Sequence, residues 1–589
     1  MAMKLHSIIL MKDSTFVEVS KYNKYSYFNS GSVLVLNNSD EAKKLNFFNY
    51  FYNKYTDIKH LSILITDLNG KVLKKLKKSD FEDISAFSDI SIYTDNRAKI
   101  YKYVPTIYPY IINYQIEISS EQTAFLPSFD IYESTKCYIL NKKFRLINKS
   151  DANIRYKKED LEGIEISEKI TNNDFSYEIN HIKPFSNEVY SKEREPSINF
   201  SIDHFYLSGE EGTFSNWEQF GNWYITKLIS NTQSLDDKVK AEVKQLIGNE
   251  TDKKKIIQKI FQYVQNRTRY LSVSKGIGGW KPMNAMDVHK YGYGDCKALS
   301  NYTKCLLDVA GIESNLTLIN ASANKSSIDK DFASWTGNHI ILNVPLEQDT
   351  LWLECTSQEI AYNQITDYTQ DRNALSLSNK GSKIIHTPKL DNKTNKVDFI
   401  TNIQISTDNK INVENKTVYK GKYYLDNLKI NYFTKDEFDN FLKETYNTFQ
   451  DFAILKTKKE NDKENGIYTI DVQFSASNYC KKIGNDFMLK LIPFNNFTTN
   501  LKKDKIRESD LEIMGKSIRH EINYTLPNGY TLKEIPNKIE KQAEFGNYSM
   551  SFSFENNLLK VIRTIELFDN EYKKKSIRIL LLSLKKFQF

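Results

Sequence analysis

The hydrophobic period changes twice along this chain, and that change limits its fold more than any other feature. From about residue 5 to 195, apolar residues fall in short runs such as Ser32-Val33-Leu34-Val35-Leu36, Leu61-Ser62-Ile63-Leu64-Ile65 and Tyr110-Ile111-Ile112-Asn113-Tyr114. Runs of this length bounded by turn residues predict strands, and Asn69-Gly70 between two of them predicts a hairpin. From about 215 the step lengthens. Ile256, Ile257, Ile260, Phe261 and Val264 recur at three- and four-residue intervals, so 252–267 predicts a helix with one apolar face. Segments from Asn216 to Phe220 and from Asp236 to Gly248 read the same way. After Pro388 alternation returns, in Val397 to Ile403 and Tyr468 to Val472, interrupted by a helix-like stretch with Phe438, Phe441, Leu442 and Tyr446. All five tryptophans lie between Trp217 and Trp352, which predicts a separate aromatic core in the middle.

A chain of 589 residues is too long for one core. The expected division is a β-rich domain at 5–195, read as a sandwich or open barrel, a core with leading helices at 196–385, and a second β-rich domain at 390–589. The net charge of +8 is a small difference between 82 basic and 74 acidic residues spread along the chain, which gives nucleic acid no concentrated patch. Five lysines between Lys71 and Lys78 alternate with Val72, Leu73 and Leu76, as on a solvated strand edge. No apolar run approaches the roughly 18 residues of a membrane span. Ile8-Ile9-Leu10-Met11 is too short for the apolar core of a secretory signal, so no signal peptide is expected in the chain as given. The five cysteines are scattered, with no CxxC pair, and the eight histidines are dispersed. Neither a disulfide scaffold nor a metal site is expected, and no cofactor.

The chemistry concentrates around Gly292-Tyr293-Gly294-Asp295-Cys296-Lys297-Ala298-Leu299. Asp295 stands where an N-cap belongs and Cys296 where a helix begins. Leu299, Tyr302, Leu306 and Val309 continue the helical step, and Gly311 supplies a left-handed stop. A sulfur at the positive end of a helix dipole is biased toward thiolate. The bland alternative is a structural cysteine in a core. Downstream lie His339, on an apolar strand where it shares a face with Ile341 and Asn343, and Glu354 in Leu351-Trp352-Leu353-Glu354-Cys355-Thr356. A histidine satisfied by a backbone partner is the competing reading of His339. A hairpin loop at 346–350, centred between Leu346 and Glu347, would set Glu354 opposite His339. Cysteine, histidine and carboxylate in that order predict a thiol triad.

These residues resemble the transglutaminase-like superfamily. The closer similarity, in Tyr293 to Tyr302, Asn338 to Leu342 and Trp352 to Gln358, is to a bacterial multidomain group with an uncharacterised β domain before the core and another behind it. Asp83 to Ala86, Asp95-Asn96-Arg97, Tyr108-Pro109-Tyr110, Arg269-Tyr270, Gly276 to Gly279, Leu526 to Tyr530 and Phe545 to Tyr548 extend the resemblance over nearly the whole chain. It implies an α+β multidomain fold, with a papain-like core flanked by two β-sandwich or barrel-like domains. It also implies Cys296 as nucleophile, His339 as general base and acid, Glu354 as orienting acid, and Trp280 and Tyr270 as oxyanion or substrate-contact residues. The implied activity is thiol-dependent acyl transfer on protein or peptide amides, hydrolytic in preference to amine crosslinking. A non-catalytic protein- or glycan-binding scaffold is the alternative from another class. A calcium-dependent enzyme finds no carboxylate-rich loop to support it. A periplasmic or cell-surface location, with surface or wall partners bound through the β domains, follows from the resemblance alone.

Overall fold

Period-two patterning at both ends pairs into large sheets. The computed structural model describes residues 6–86, 91–132, 136–185, 188, 195–323, 325–484, 486–494 and 509–573. Ile8–Lys21 pairs antiparallel with Lys24–Val35 through a tight turn and parallel with Cys137–Asn148. The complete eight-stranded order is Ile166–Ile170, Asp174–Ile182, Cys137–Asn148, Ile8–Lys21, Lys24–Val35, Tyr110–Ser120, Thr56–Thr66, Val72–Lys77. The Asn69-Gly70 turn forms between the last two strands, with Gly70 at φ 85° and its N–H donating to the Asp67 carbonyl at 3.2 Å. Val72–Lys77 is an outermost strand, and its lysines protect an edge that would otherwise invite pairing with another chain.

The helical patterns also form. Lys253–Arg267 is capped by Asp252 and buries Ile256, Ile257, Ile260, Phe261 and Val264. Trp217–Tyr224 is capped by Asn216, and Asp237–Ile247 by Asp236. By compactness the chain divides into two units: Met1–Asn187, Glu193–Leu351 and Arg372–His386 form the first, and Glu188–Lys192, Trp352–Asp371 and Thr387–Phe589 the second. The first unit holds the sheet above, these helices, and a further sheet whose strands in this unit include His339–Pro345, Asn315–Ile319, Asn373–Leu377 and Lys383–His386, in that order.

The second unit is built on the eight-stranded order Gln450–Asp462, Ile467–Ser477, Ile411–Lys420, Lys396–Ile405, Lys516–Thr525, Leu558–Leu567, Gly546–Glu555, Ile539–Ala543. Helix Lys435–Thr445, closed by a Thr434/Glu437 capping box, buries Phe438 and Leu442. His520 is fully buried in this sheet, stacked on Phe399 at 4.6 Å with its Nδ1 3.4 Å from the Arg563 guanidinium. Burial, and then the Arg563 charge, hold its pKa well below the ordinary 6.5. The folded protein therefore keeps His520 neutral while the unfolded chain protonates it. Stability from this group is fully present above pH 6.5 and lost as pH falls through it, by about 1.4 kcal/mol per pH unit. Urea titrations at pH 7, 6 and 5 are expected to show this extra slope in the wild type and its absence in His520→Gln. Equal slopes in the two proteins would contradict it.

The expected architecture, an α+β papain-like core between two β-sandwich or barrel-like domains, is corrected by the structure. Strand accounts for 45% and helix for 18%, with large sheets dominating. Strand length is the physical reason. Ile8–Lys21 runs for 14 residues, and Lys24–Val35 and Cys137–Asn148 for 12 each. Polar side chains inside these runs are satisfied rather than strand-ending: Asn29 Nδ2 donates to Asp13 Oδ1 at 2.8 Å and to Thr15 Oγ1 at 2.9 Å, all three residues buried.

Candidate active site

The backbone before Cys296 is shaped by two glycines. Helix Ala285–Tyr291 stops at Gly292, which is left-handed at φ 68°. The Gly292 carbonyl accepts from Arg269 N–H at 3.0 Å and the Gly294 carbonyl from Leu271 N–H at 2.9 Å, so Arg269–Tyr270 runs parallel to Tyr293–Gly294. This places the Tyr270 backbone alongside Gly294. A Cβ on Gly294 would lie 2.9 Å from the Ala298 Cβ, so only glycine lets the strand turn this tightly into the helix. Asp295 then caps the helix, its Oδ1 accepting from Ala298 N–H at 3.0 Å, and Cys296 opens Cys296–Val309.

Cys296 is half-buried, whereas Cys137, Cys305, Cys355 and Cys480 are buried. Burial pushes the Cys305 thiol up to about 12 and raises Cys480 as well. Beside Cys296 lies a charge pair that sequence reading missed. Lys297 Nζ bonds to Asp295 Oδ2, with both side chains more than nine-tenths buried.

A second missed residue is Tyr224, the buried last residue of Trp217–Tyr224. Its hydroxyl donates to the Trp280 carbonyl at 2.8 Å. Burial first, then the negative charges of Cys296 and Asp295, push the Tyr224 pKa far up, so the phenol stays a donor within electrostatic reach of the sulfur. Trp280 itself follows a single tight turn at Gly276–Gly279, its N–H donating to the Ile277 carbonyl at 2.9 Å. Its ring packs edge-on against Trp335 at 5.2 Å.

His339 opens strand His339–Pro345, opposite Ile319. The approach is pinned: Asn338 N–H donates to the Ile319 carbonyl at 3.1 Å, and Gly337, left-handed at φ 92°, donates to Asn320 Oδ1 at 2.8 Å. This strand touches the helix of Cys296, because Ser300 Oγ donates to the Ile340 carbonyl at 3.1 Å. The following turn is closed by Leu346 N–H to the Asp349 carbonyl at 2.8 Å, centring it between Glu347 and Gln348, one residue later than expected.

Cys296, His339, Trp280 and Tyr270 thus fall in the first unit, and Glu354 in the second. Glu354 is 8% exposed, and its Oε1 accepts from Thr356 Oγ1 at 2.7 Å. A cleft of about 290 Å³ borders Lys304 and Asp308 on the same helix as Cys296. Lys304 is two turns from the sulfur, about 12 Å along the axis, so this cleft belongs to the far end. Among the described residues no group of three or more His, Cys, Asp or Glu is placed to hold a metal ion. Among them, too, no helix is long and apolar enough to cross a membrane.

Comparison with known proteins agrees with the ends of this chain better than with its middle. The family described as "Domain of Unknown Function with solved-structure structure (DUF3857)" matches residues 23–186, and the one described in the same words as DUF3858 matches 485–580. No curated protein matches. A crystal structure from Parabacteroides distasonis ATCC 8503, described as "a putative protease", aligns over 99% of this chain and 97% of its own, at 13% identity and TM-score 0.64. A "putative cysteine protease" from Cytophaga hutchinsonii aligns over 62% of this chain and 86% of its own, at 9% identity and a TM-score of 0.18 that shows no common fold. Two segments of the chain, one toward each end, are thus similar to domains of unknown function, and the chain shares its fold with the Parabacteroides protein.

Proposed function

We propose that this chain is a thiol-dependent hydrolase of peptide or protein amides, of the transglutaminase-like superfamily, with Cys296 as nucleophile. The observation that carries the reading is a half-exposed Cys296 opening a capped helix to which the strand of His339 is hydrogen-bonded. The description of the Parabacteroides neighbour as a protease points the same way.

In the first half-reaction the Cys296 thiolate forms a C–S bond to the amide carbonyl while donors near the helix start hold the oxyanion. The C–N bond breaks and the amine leaves with a proton from His339, giving a thioester. Water, deprotonated by His339, then attacks the thioester and releases the acid and the thiol. Glu354 orients the imidazole, and Trp280 and Tyr270 contact the oxyanion or substrate. An amine in place of water would make the same intermediate a crosslinking one. Work at the cell surface or in the periplasm, with surface partners bound through the two end domains, completes the proposal.

The test is mass spectrometry of a peptide library incubated with wild type and Cys296→Ala, with and without a primary amine. Cleaved products confined to the wild type are expected. Amine adducts without cleavage would replace hydrolysis by transamidation, and identical spectra from both proteins would sink the assignment.

A further inference from the structure

Phe125 stands beside Trp280 although it comes from the front β region, and its setting is unlike that of an ordinary loop side chain. The preceding residues are held firmly. Gln122 Nε2 donates to Ser208 Oγ at 2.9 Å, and its Oε1 accepts from Ser208 N–H at 2.8 Å. Thr123 Oγ1 donates to the Tyr22 carbonyl and accepts from Tyr206 N–H at 2.9 Å. Ala124 N–H donates to the Tyr206 carbonyl at 3.3 Å. Thr123 and Ala124 are buried, yet Phe125 leaves 38% of its surface in solvent. A segment this constrained does not expose a phenyl ring through looseness.

That ring lies 5.2 Å from Trp280 and 5.8 Å from Trp335, whose indoles are themselves 5.2 Å apart. The three rings form one wall. It begins at Trp280, read above as an oxyanion or substrate-contact residue, whose carbonyl accepts from the Tyr224 hydroxyl at 2.8 Å. Trp335 Nε1 is buried with no hydrogen-bond partner among the described residues, a cost that packing alone gives no reason to carry. None of the three side chains carries a charge to compensate a buried ion, so the wall favours an apolar or aromatic group and penalises a charged one.

We propose that Phe125 is a specificity-determining residue that selects a bulky apolar side chain on the acyl donor, which makes the front β region part of the substrate site. This rests on the reading of Cys296 as nucleophile and of Trp280 as a substrate contact. Two peptidyl chloromethyl ketones differing only in a benzyl or methyl side chain test it on the full chain, read as the rate at which the Cys296 thiolate displaces chloride. The benzyl reagent is expected to react about tenfold faster with wild type, with the benzyl-to-methyl ratio falling toward one in Phe125→Ala and part-way in Phe125→Leu. Should the alanine variant not fold, as judged by thermal melting, the leucine ratio decides. An unchanged ratio, or a wild-type preference for methyl, overturns the proposal. Side-chain-selective, Phe125-dependent labelling without peptide cleavage would keep the subsite and remove hydrolysis. Indiscriminate labelling of all five cysteines would remove both.

Discussion

Replacing His339 with alanine is expected to lower kcat for peptide cleavage by about 10² to 10⁴-fold, the contribution of a positioned general acid and base. The same change should slow alkylation of Cys296 by iodoacetamide near pH 7, because the proposed mechanism relies on His339 to activate the sulfur. Selectivity can be read in the wild type before any variant is made. Four of the five cysteines are buried, and burial raises the thiols of Cys305 and Cys480, so Cys296 should label first. Slow and equal labelling of all five, unaffected by His339→Ala, would favour a scaffold over an enzyme. Glu354→Gln should lower kcat less, since it retains the shape of the proposed orienting group and removes only its charge.

The second large effect is on stability. Asp295 does two things at once: Oδ1 caps the helix that Cys296 opens, and Oδ2 meets Lys297 in a pair more than nine-tenths buried. Breaking one partner of such a pair costs about 3 to 5 kcal/mol, and the lost cap about 1 kcal/mol more. Asp295→Ala should therefore lower the urea midpoint strongly, as followed by tryptophan fluorescence. Asp295→Asn, which keeps a capping oxygen but no charge, should fall between the two. An alanine variant within 1 kcal/mol of wild type would mean that the buried pair adds little to the fold.

Local signals were the legible part of this sequence. The apolar face of Lys253–Arg267, the Asp295 cap, the glycine stop beyond Val309 and the Asn69-Gly70 turn are each decided by a few neighbouring residues, and each forms as expected. What was not legible depended on distant partners. Asp13 and Asn29 bond to each other across a strand pair, a partnership that no local pattern announces. The turn after Pro345 closes one residue late, because the hydrogen bond that sets it is Leu346 to Asp349. Tyr224 carries no local signal that would single it out. Its importance comes from a carbonyl 56 positions away in the chain. Nothing in the sequence marks the Lys297 charge as buried, and only the fold reveals it.

The threading of the chain has a practical consequence. Residues Arg372–His386 return to the first unit after an excursion through the second, and supply Asn373–Leu377, which pairs with Asn315–Ile319. A fragment cut after Leu351 would lack this strand and leave Asn315–Ile319 with an uncovered ladder of amides and carbonyls, ready to recruit a stranger. Dissection by truncation would then yield precipitate rather than a working half, so the contributions of the two units are better separated by point substitution than by scissors.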